Sequence, residues 1–284
     1  MQGGVYVANV TPFKDDETFD VDTEAYLAHV EWLRERGVRG IVPFGTNGEG
    51  PSATLGEKLG TLEKLFERGP SLEIIPNVAQ GNVPETLEFL RWLEDKPVAA
   101  VMVLPPYYFK PASPEGLKRF YEMALAESGH PIVMYHIPKY AVPIPVEVVA
   151  SLPVWGVKDS GGDAEYTRSV LEAGKDVLLG TEDDLWSALN LGARGIISAM
   201  ANFIPEEIVE MDRRVSKGDE AGGKELSGHL QRVRAMTKEH TSAAVLKRLA
   251  EARHGFPMGT VRPPLVPAPA DYDPQPTLEA ATSA

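Results

Sequence analysis

Lys158 is the residue whose setting says most about chemistry. It closes the apolar run Val154-Trp155-Gly156-Val157, whereas Lys58, Lys64, Lys118 and Lys247 read as members of solvated helix faces. A lysine at the end of an internal strand carries a desolvation cost. Burial disfavours the ammonium, and a neutral amine is a nucleophile toward carbonyl carbon. The same placement also suits a structural Lys–Asp or Lys–Glu pair. Imine chemistry needs an acid–base group near the carbinolamine oxygen, and Tyr135 is the natural carrier. Tyr107 and Tyr108 offer a relay to bulk water, or simple packing at a rim. The turn Gly45-Thr46-Asn47-Gly48-Glu49-Gly50 presents backbone N–H groups beside a helix, a cradle for a carboxylate. Its glycines also suit a tight turn for geometric reasons alone. It lacks the Gly-Lys-Ser/Thr of a phosphate loop and is not a GxGxxG fingerprint.

Other chemistries leave no such trace. The six histidines show no HxH or HExxH spacing, so no metal site is expected. Glu182, Asp183 and Asp184 read as a cap on the helix that follows them rather than as Mg²⁺ ligands. There is no cysteine, which excludes disulfides, thiolate nucleophiles and Fe–S clusters and is compatible with a reducing cytoplasm.

The elements that must position these groups alternate along the chain. Predicted strands cover 4–10, 40–44, 73–78, 99–104, 132–135, 154–157, 176–179 and 195–198. Helical patterns lie between them: 22–36, 55–68, 84–93 capped by Asn82, 114–126, 145–151, 164–173 and 183–191. Strand–helix alternation implies βαβ units and a parallel sheet. Eight repeats within about 200 residues favour an α/β fold closed as a (β/α)8 TIM barrel over an open sheet. Reactive side chains should then collect at the C-terminal ends of the strands and on the loops that follow them, where Thr46 and Tyr108 fall after the second and fourth strands and Tyr135 and Lys158 at the ends of the fifth and sixth. The segment 205–215 reads as the eighth barrel helix, and 219–240 and 242–254 as a C-terminal helical extension. This divides the chain into a barrel over 1–215, an extension over 216–262 and a Pro-rich tail over 263–284. Six prolines from Pro263 to Pro276 argue against helix there, and the last ten or so residues are expected to be poorly ordered.

The 284 residues and 43% hydrophobic content allow a sizeable core. A net charge of −13 argues against nucleic acid and anionic membrane surfaces as partners, because both want a basic stripe. No basic, apolar leader opens the sequence, and no run of 18 apolar residues occurs, so neither a signal peptide nor a membrane helix is expected. An anionic small substrate remains compatible, provided positive or N–H groups are placed locally.

The ordered motifs Thr11-Pro12-Phe13, Gly45-Thr46-Asn47-Gly48-Glu49, Pro106-Tyr107-Tyr108, Tyr135 with Pro138, Gly156-Val157-Lys158-Asp159-Ser160, Gly192 to Ser198, and Arg262-Pro263-Pro264-Leu265 resemble the dihydrodipicolinate synthase / N-acetylneuraminate lyase family of class I aldolases. The resemblance runs from about Val5 to Leu265 and implies the same barrel with C-terminal helices. It implies that Lys158 forms an imine with the keto carbon of pyruvate or another 2-oxo acid, and that Tyr135 transfers protons. By the same resemblance Thr46 links Tyr135 to a second tyrosine, Tyr108, often inserted across a dimer interface. The N–H groups of Thr46 and Asn47 would hold the carboxylate, and Gly180 and Ile197 match pocket-lining positions. No cofactor is implied, and a homodimer or homotetramer is.

Two departures from the family pattern bear on the substrate. Asn47 stands where the family usually has Thr or Ser, and an amide still donates to a carboxylate. Tyr140 stands where dihydrodipicolinate synthases carry an arginine for the carboxylate of aspartate semialdehyde, and tyrosine cannot form that bidentate fork. Gly48-Glu49-Gly50-Pro51-Ser52 and Arg262-Pro263-Pro264 also look like the 2-keto-3-deoxygluconate aldolase branch, where a neutral, hydroxyl-rich second substrate would suit Tyr140. The expected function is a Schiff-base lyase or aldolase that joins a 2-oxo acid to an aldehyde or separates them. The alternatives are a Schiff-base dehydratase or hydratase of a 2-keto-3-deoxy sugar acid, and a non-catalytic 2-oxo acid binder.

Overall fold

Short aliphatic runs form the strands of a computed structural model in which residues 1–238 and 242–283 are described. The strands are β1 (Gly4–Val7), β2 (Gly40–Ile41), β3 (Glu73–Ile74), β4 (Asn77–Val78), β5 (Val101–Val103), β6 (Ile132–His136), β7 (Gly156–Asp159), β8 (Asp176–Leu179) and β9 (Gly195–Ser198). All pair in parallel, in the order β3-β2-β1-β9-β8-β7-β6-β5-β4. β3 and β4 are the two halves of one strand, interrupted at Ile75-Pro76, where proline removes a donor. On one side Ile75 N–H donates to Ile41 O at 3.0 Å and Asn77 N–H to Pro43 O at 3.0 Å. On the other, Pro76 O accepts from Met102 N–H at 3.0 Å and Val78 O from Leu104 N–H at 3.0 Å. The sheet therefore closes on itself, as the eight-strand pattern predicts.

Strand alternation separates two cores. Val5, Val7, Met134, Val157 and Val177 face outward and pack under the helices. Tyr6, Val42, Met102, Val133, Tyr135, Leu178 and Ile197 fill the interior. The outer layer is α1 (Thr23–Arg34), α2 (Leu55–Arg68), α3 (Val83–Leu93), α4 (Pro114–Glu127), α5 (Val146–Ala150), α6 (Ala164–Glu172), α7 (Leu185–Asn190) and α8 (Pro205–Lys217). Their starts follow the capping logic of the sequence: Asn82 caps α3 through Glu85 N–H at 2.9 Å, and Thr54 with Glu57 forms a reciprocal box at the start of α2.

The C-terminal extension comprises α9 (Glu220–Met236), α10 (Ser242–His254) and α11 (Gln275–Thr282). Glu239 and His240, the predicted end of the helix before α10, lie outside the described residues. α11 corrects the expectation of a helix-free tail. Pro274 precedes it and Pro276 sits in its first turn, where the N–H groups have no intrahelical acceptor in any case. Its Leu278 and Ala281 are buried in the outer core.

The acidic run after β8 is a second correction. Asp184 precedes α7 in a left-handed conformation and makes no side-chain cap bond. Glu182 instead accepts from Ser198 Oγ at 2.6 Å and from Ala199 N–H at 3.1 Å. Arg234 of α9 donates to Glu182 at 3.1 Å and to Asp183 at 2.5 Å. These carboxylates tie the barrel to its extension.

Candidate active site

Lys158 faces the barrel interior. Its register partners are Tyr135 on β6 and Leu178 on β8, and both belong to the interior cluster. The side chain is 3% exposed, and Nζ lies 4.3 Å from the centroid of the Tyr135 ring. Among the described residues no carboxylate lies within ion-pair distance of Nζ, which removes the structural-pair alternative. The adjacent Asp159 points to the opposite face, where it accepts from Gly161 N–H at 2.8 Å and Thr167 Oγ1 at 2.7 Å. His136 lies on that outer side as well. Its ring stacks on Tyr166 at 3.9 Å, its Nδ1 accepts from Ile144 N–H at 3.2 Å, and burial holds its pKa below the usual value.

The Tyr135 hydroxyl and Thr46 Oγ1 are 2.9 Å apart. Thr46 enters from the loop after β2, so two strands far apart in the sheet bring the pair together. The loop folds back on itself through Glu49 N–H to Thr46 O at 3.1 Å and Gly50 N–H to Gly45 O at 3.1 Å. Among the described residues the N–H groups of Thr46 and Asn47 have no acceptor. Two adjacent donors left open beside a buried amine suit an incoming carboxylate. The Asn47 side chain turns away, accepting from Ser242 Oγ at 3.3 Å.

The remaining expected residues are placed unevenly. Ile197 lies inside the barrel with Tyr135 and Leu178. Gly180 follows β8, and a Cβ there would collide with Ser160 Oγ, so the position admits only glycine while Ser160 keeps its place. Tyr107 packs half-buried against the interior cluster. Tyr108 is not brought to Tyr135 within one chain: it is 82% exposed, and among the described residues its ring meets only that of Phe109, edge-on at 5.3 Å. Tyr140 is 51% exposed at the rim, with Lys139 Nζ 5.0 Å from its ring.

Sequence reasoning missed three buried polar groups. Asn77 is buried in register with Met102 on the interior face, and among the described residues its Oδ1 has no hydrogen-bond partner; the alternation from Ile75 to Asn77 was the available signal. Lys58 and Lys247, expected on solvated faces, are both buried. Lys58 donates to Ala79 O at 3.4 Å and to Gln80, and Lys247 pairs with Glu49 at 2.6 Å. Burial pushes each amine down to about 8. Among the described residues no group of three His, Cys, Asp or Glu side chains could hold a metal, and no helix is long and apolar enough to cross a membrane.

Comparison with known proteins bears on this site. A model of the dihydrodipicolinate synthetase family matches residues 1–284. A 4-hydroxy-tetrahydrodipicolinate synthase of Methanococcus maripaludis is 33% identical over 270 residues, covering 92% of each chain. A solved dihydrodipicolinate synthase superposes with a TM-score of 0.88 at 28% identity, covering 98% of this chain and 97% of the other. A variant of the 2-keto-3-deoxygluconate aldolase of Sulfolobus solfataricus shares the fold with a TM-score of 0.90 at 22% identity, over 98% of this chain and 94% of the other.

Proposed function

The chain belongs to the dihydrodipicolinate synthetase family and is a Schiff-base lyase or aldolase, and from that premise we propose that Lys158 is its imine-forming nucleophile and Tyr135 its proton carrier. One observation carries the assignment: an interior lysine that has no carboxylate partner among the described residues, its amine over the ring of a tyrosine whose hydroxyl is bonded to Thr46. In the cleavage direction the 2-oxo acid carboxylate rests on the N–H groups of Thr46 and Asn47. The neutral amine adds to C2, and the carbinolamine hydroxyl leaves as water with a proton delivered by Tyr135. The protonated imine draws electrons from the C3–C4 bond as Tyr135 takes the C4 hydroxyl proton. An aldehyde departs, the enamine is protonated at C3, and water hydrolyses the imine to release pyruvate. The iminium itself is the electron sink, so the sequence of steps calls on no further cofactor. Condensation is the reverse.

Tyr140, in place of an arginine, favours a neutral polyhydroxy aldehyde as the second substrate, with Gly180 and Ile197 as the pocket-lining positions that the family resemblance implies. The exposed pair Tyr108 and Phe109, 82% and 79% open, suits burial against a second copy of the chain, whose Tyr108 would extend the Tyr135–Thr46 proton path. A monomer with full turnover would refute that role. A chain with no cysteine fits a reducing, cytoplasmic setting.

Borohydride reduction in the presence of pyruvate is expected to add the trapped mass at Lys158. No adduct, or an adduct that persists in Lys158→Ala, would overturn the assignment. Product analysis across a panel of aldehydes separates the outcomes: cleavage yields pyruvate plus an aldehyde, and dehydration yields one product.

A further inference from the structure

Resting on the Schiff-base reading above, we propose that Lys247 of α10 is a positioning residue for proton transfer, because its buried pair with Glu49 holds the turn that presents Thr46 to Tyr135. Glu49 sits three residues after Thr46 in a left-handed conformation, φ 52° and ψ 34°, which a side chain adopts only when its surroundings hold it there. Both carboxylate oxygens are held. Lys247 Nζ lies 2.6 Å from Oε1, and the Arg262 backbone N–H donates to Oε2 at 3.0 Å. Lys247 also donates to Thr260 O at 2.5 Å and lies 4.7 Å from the centroid of the Phe13 ring. The pair is dry, with the two side chains 1% and 0% exposed.

The contact reaches the catalytic hydroxyl through short links. Glu49 N–H bonds back to Thr46 O at 3.1 Å, so the carboxylate and Thr46 belong to one turn. Ser242, at the start of the same helix, reaches Asn47 at 3.3 Å. On its far side the loop abuts backbone: a Cβ at Gly48 would press on Asn9 O, and one at Gly50 would collide with Phe44 O. The loop is thus wedged against the β1 and β2 ends and pinned from the other side by α10. Without the Lys247 cation, Glu49 would be a buried charge lacking its main partner. Releasing its left-handed turn is the simplest relief, and that moves Thr46.

The test uses the full chain and pyruvate alone. Exchange of the pyruvate methyl protons with deuterated water, followed by NMR, reports enamine formation without any second substrate. Lys247→Met removes the cation, and the double variant Glu49→Gln, Lys247→Met removes both charges while keeping the shape of the pair. Both are expected to form the borohydride adduct at Lys158 with a pyruvate KM within about threefold of the native value. The maximal exchange rate should fall by roughly 10- to 100-fold, the scale on which small misplacements of reacting groups act. An unchanged exchange rate in a folded variant overturns the proposal, as does a loss that only tracks the folded fraction. Failure of both variants to fold overturns it too, since the pair would then support the fold rather than the site. If the native chain gives neither adduct nor exchange, the Schiff-base reading itself falls. Adduct and exchange in the native chain, with variants that behave normally, remove the positioning role alone.

Discussion

At the scale of single residues, the site separates the group that binds from the group that moves protons. Lys158 needs only its amine and the open N–H groups of the Thr46–Asn47 turn to capture a 2-oxo acid, whereas dehydration and C–C cleavage need the Tyr135 hydroxyl. Tyr135→Phe keeps the ring under Lys158 Nζ and deletes the hydroxyl 2.9 Å from Thr46. It is expected to lower kcat by about 10²- to 10⁴-fold, as loss of a general acid–base does, while pyruvate still protects the protein thermally. Steady-state kinetics beside a thermal-shift titration check this, and near-normal turnover would refute the role. Lys158 was legible in the sequence because a charge at the end of an apolar run is a local anomaly. Glu49 and Lys247 were not, because the partners are 198 positions apart and pairing over that distance is decided by packing. A faint signal existed in Ser242-Ala243-Ala244-Val245-Leu246, a stretch with no polar face, which implies a helix whose lysine is also enclosed.

At the scale of elements, alternation of apolar runs with helical periodicity was enough to place eight strands and their helices, since both patterns are local. The ends were less legible. Strand ends shift in both directions. Gly4–Val7 and Gly40–Ile41 are shorter than the apolar runs to Val10 and Phe44 that hold them, although Val42 N–H still donates to Val7 O and Asn77 N–H to Pro43 O. β6 and β7 instead run on to His136 and Asp159, because a ladder is made by the backbone and a polar side chain does not end it. α11 was missed because the density of prolines from Pro263 to Pro276 was read as breaking helix throughout the tail, when proline's cost belongs to the helix interior and the first turn tolerates it. This helix packs on α9 and α10, and its Ala281 carbonyl lies 3.0 Å from His229 Nε2. Leu278→Ala should therefore destabilise the chain by about 2–3 kcal/mol, the lower part of the usual range for a large-to-small change in a core. Urea unfolding measures it. A change below about 0.5 kcal/mol, the size seen at ordinary surface positions, would mean the tail contributes nothing to the fold.

At the scale of the whole molecule, the extension is bound to the barrel by charge and by aromatic packing, and that second contact sets a pH dependence. His29 of α1 is fully buried, with Nε2 3.0 Å from Asn202 Oδ1 and Nδ1 without a hydrogen-bond partner among the described residues. That oxygen also accepts from Val10 N–H, so His29 Nε2 carries the hydrogen and donates. Its ring lies 5.4 Å from that of His254 at the end of α10, which stacks on Phe256 at 3.5 Å and meets Trp32 edge-on at 5.3 Å. Arg36 and Arg253 flank the contact, both on Glu206 at 3.2 and 3.4 Å. Burial pushes His29 down to about 4, and burial with the nearby His29 and Arg36 pushes His254 down to about 3. Unfolded, each would titrate near 6.5. The unfolded chain therefore binds more protons, and stability is complete above pH 6.5 and is lost as pH falls toward 4. For His29 alone, the loss between pH 7 and pH 5 is about 2 kcal/mol. Glu207, held above the usual carboxylate range by burial, works in the opposite sense, so the comparison must be between variants. His29→Gln keeps a donor for Asn202 and removes the titration. Its unfolding free energy in urea should change about 2 kcal/mol less over that interval than the native value does. Parallel curves for the two proteins would show that protonation at this contact does not govern how firmly the barrel holds its extension.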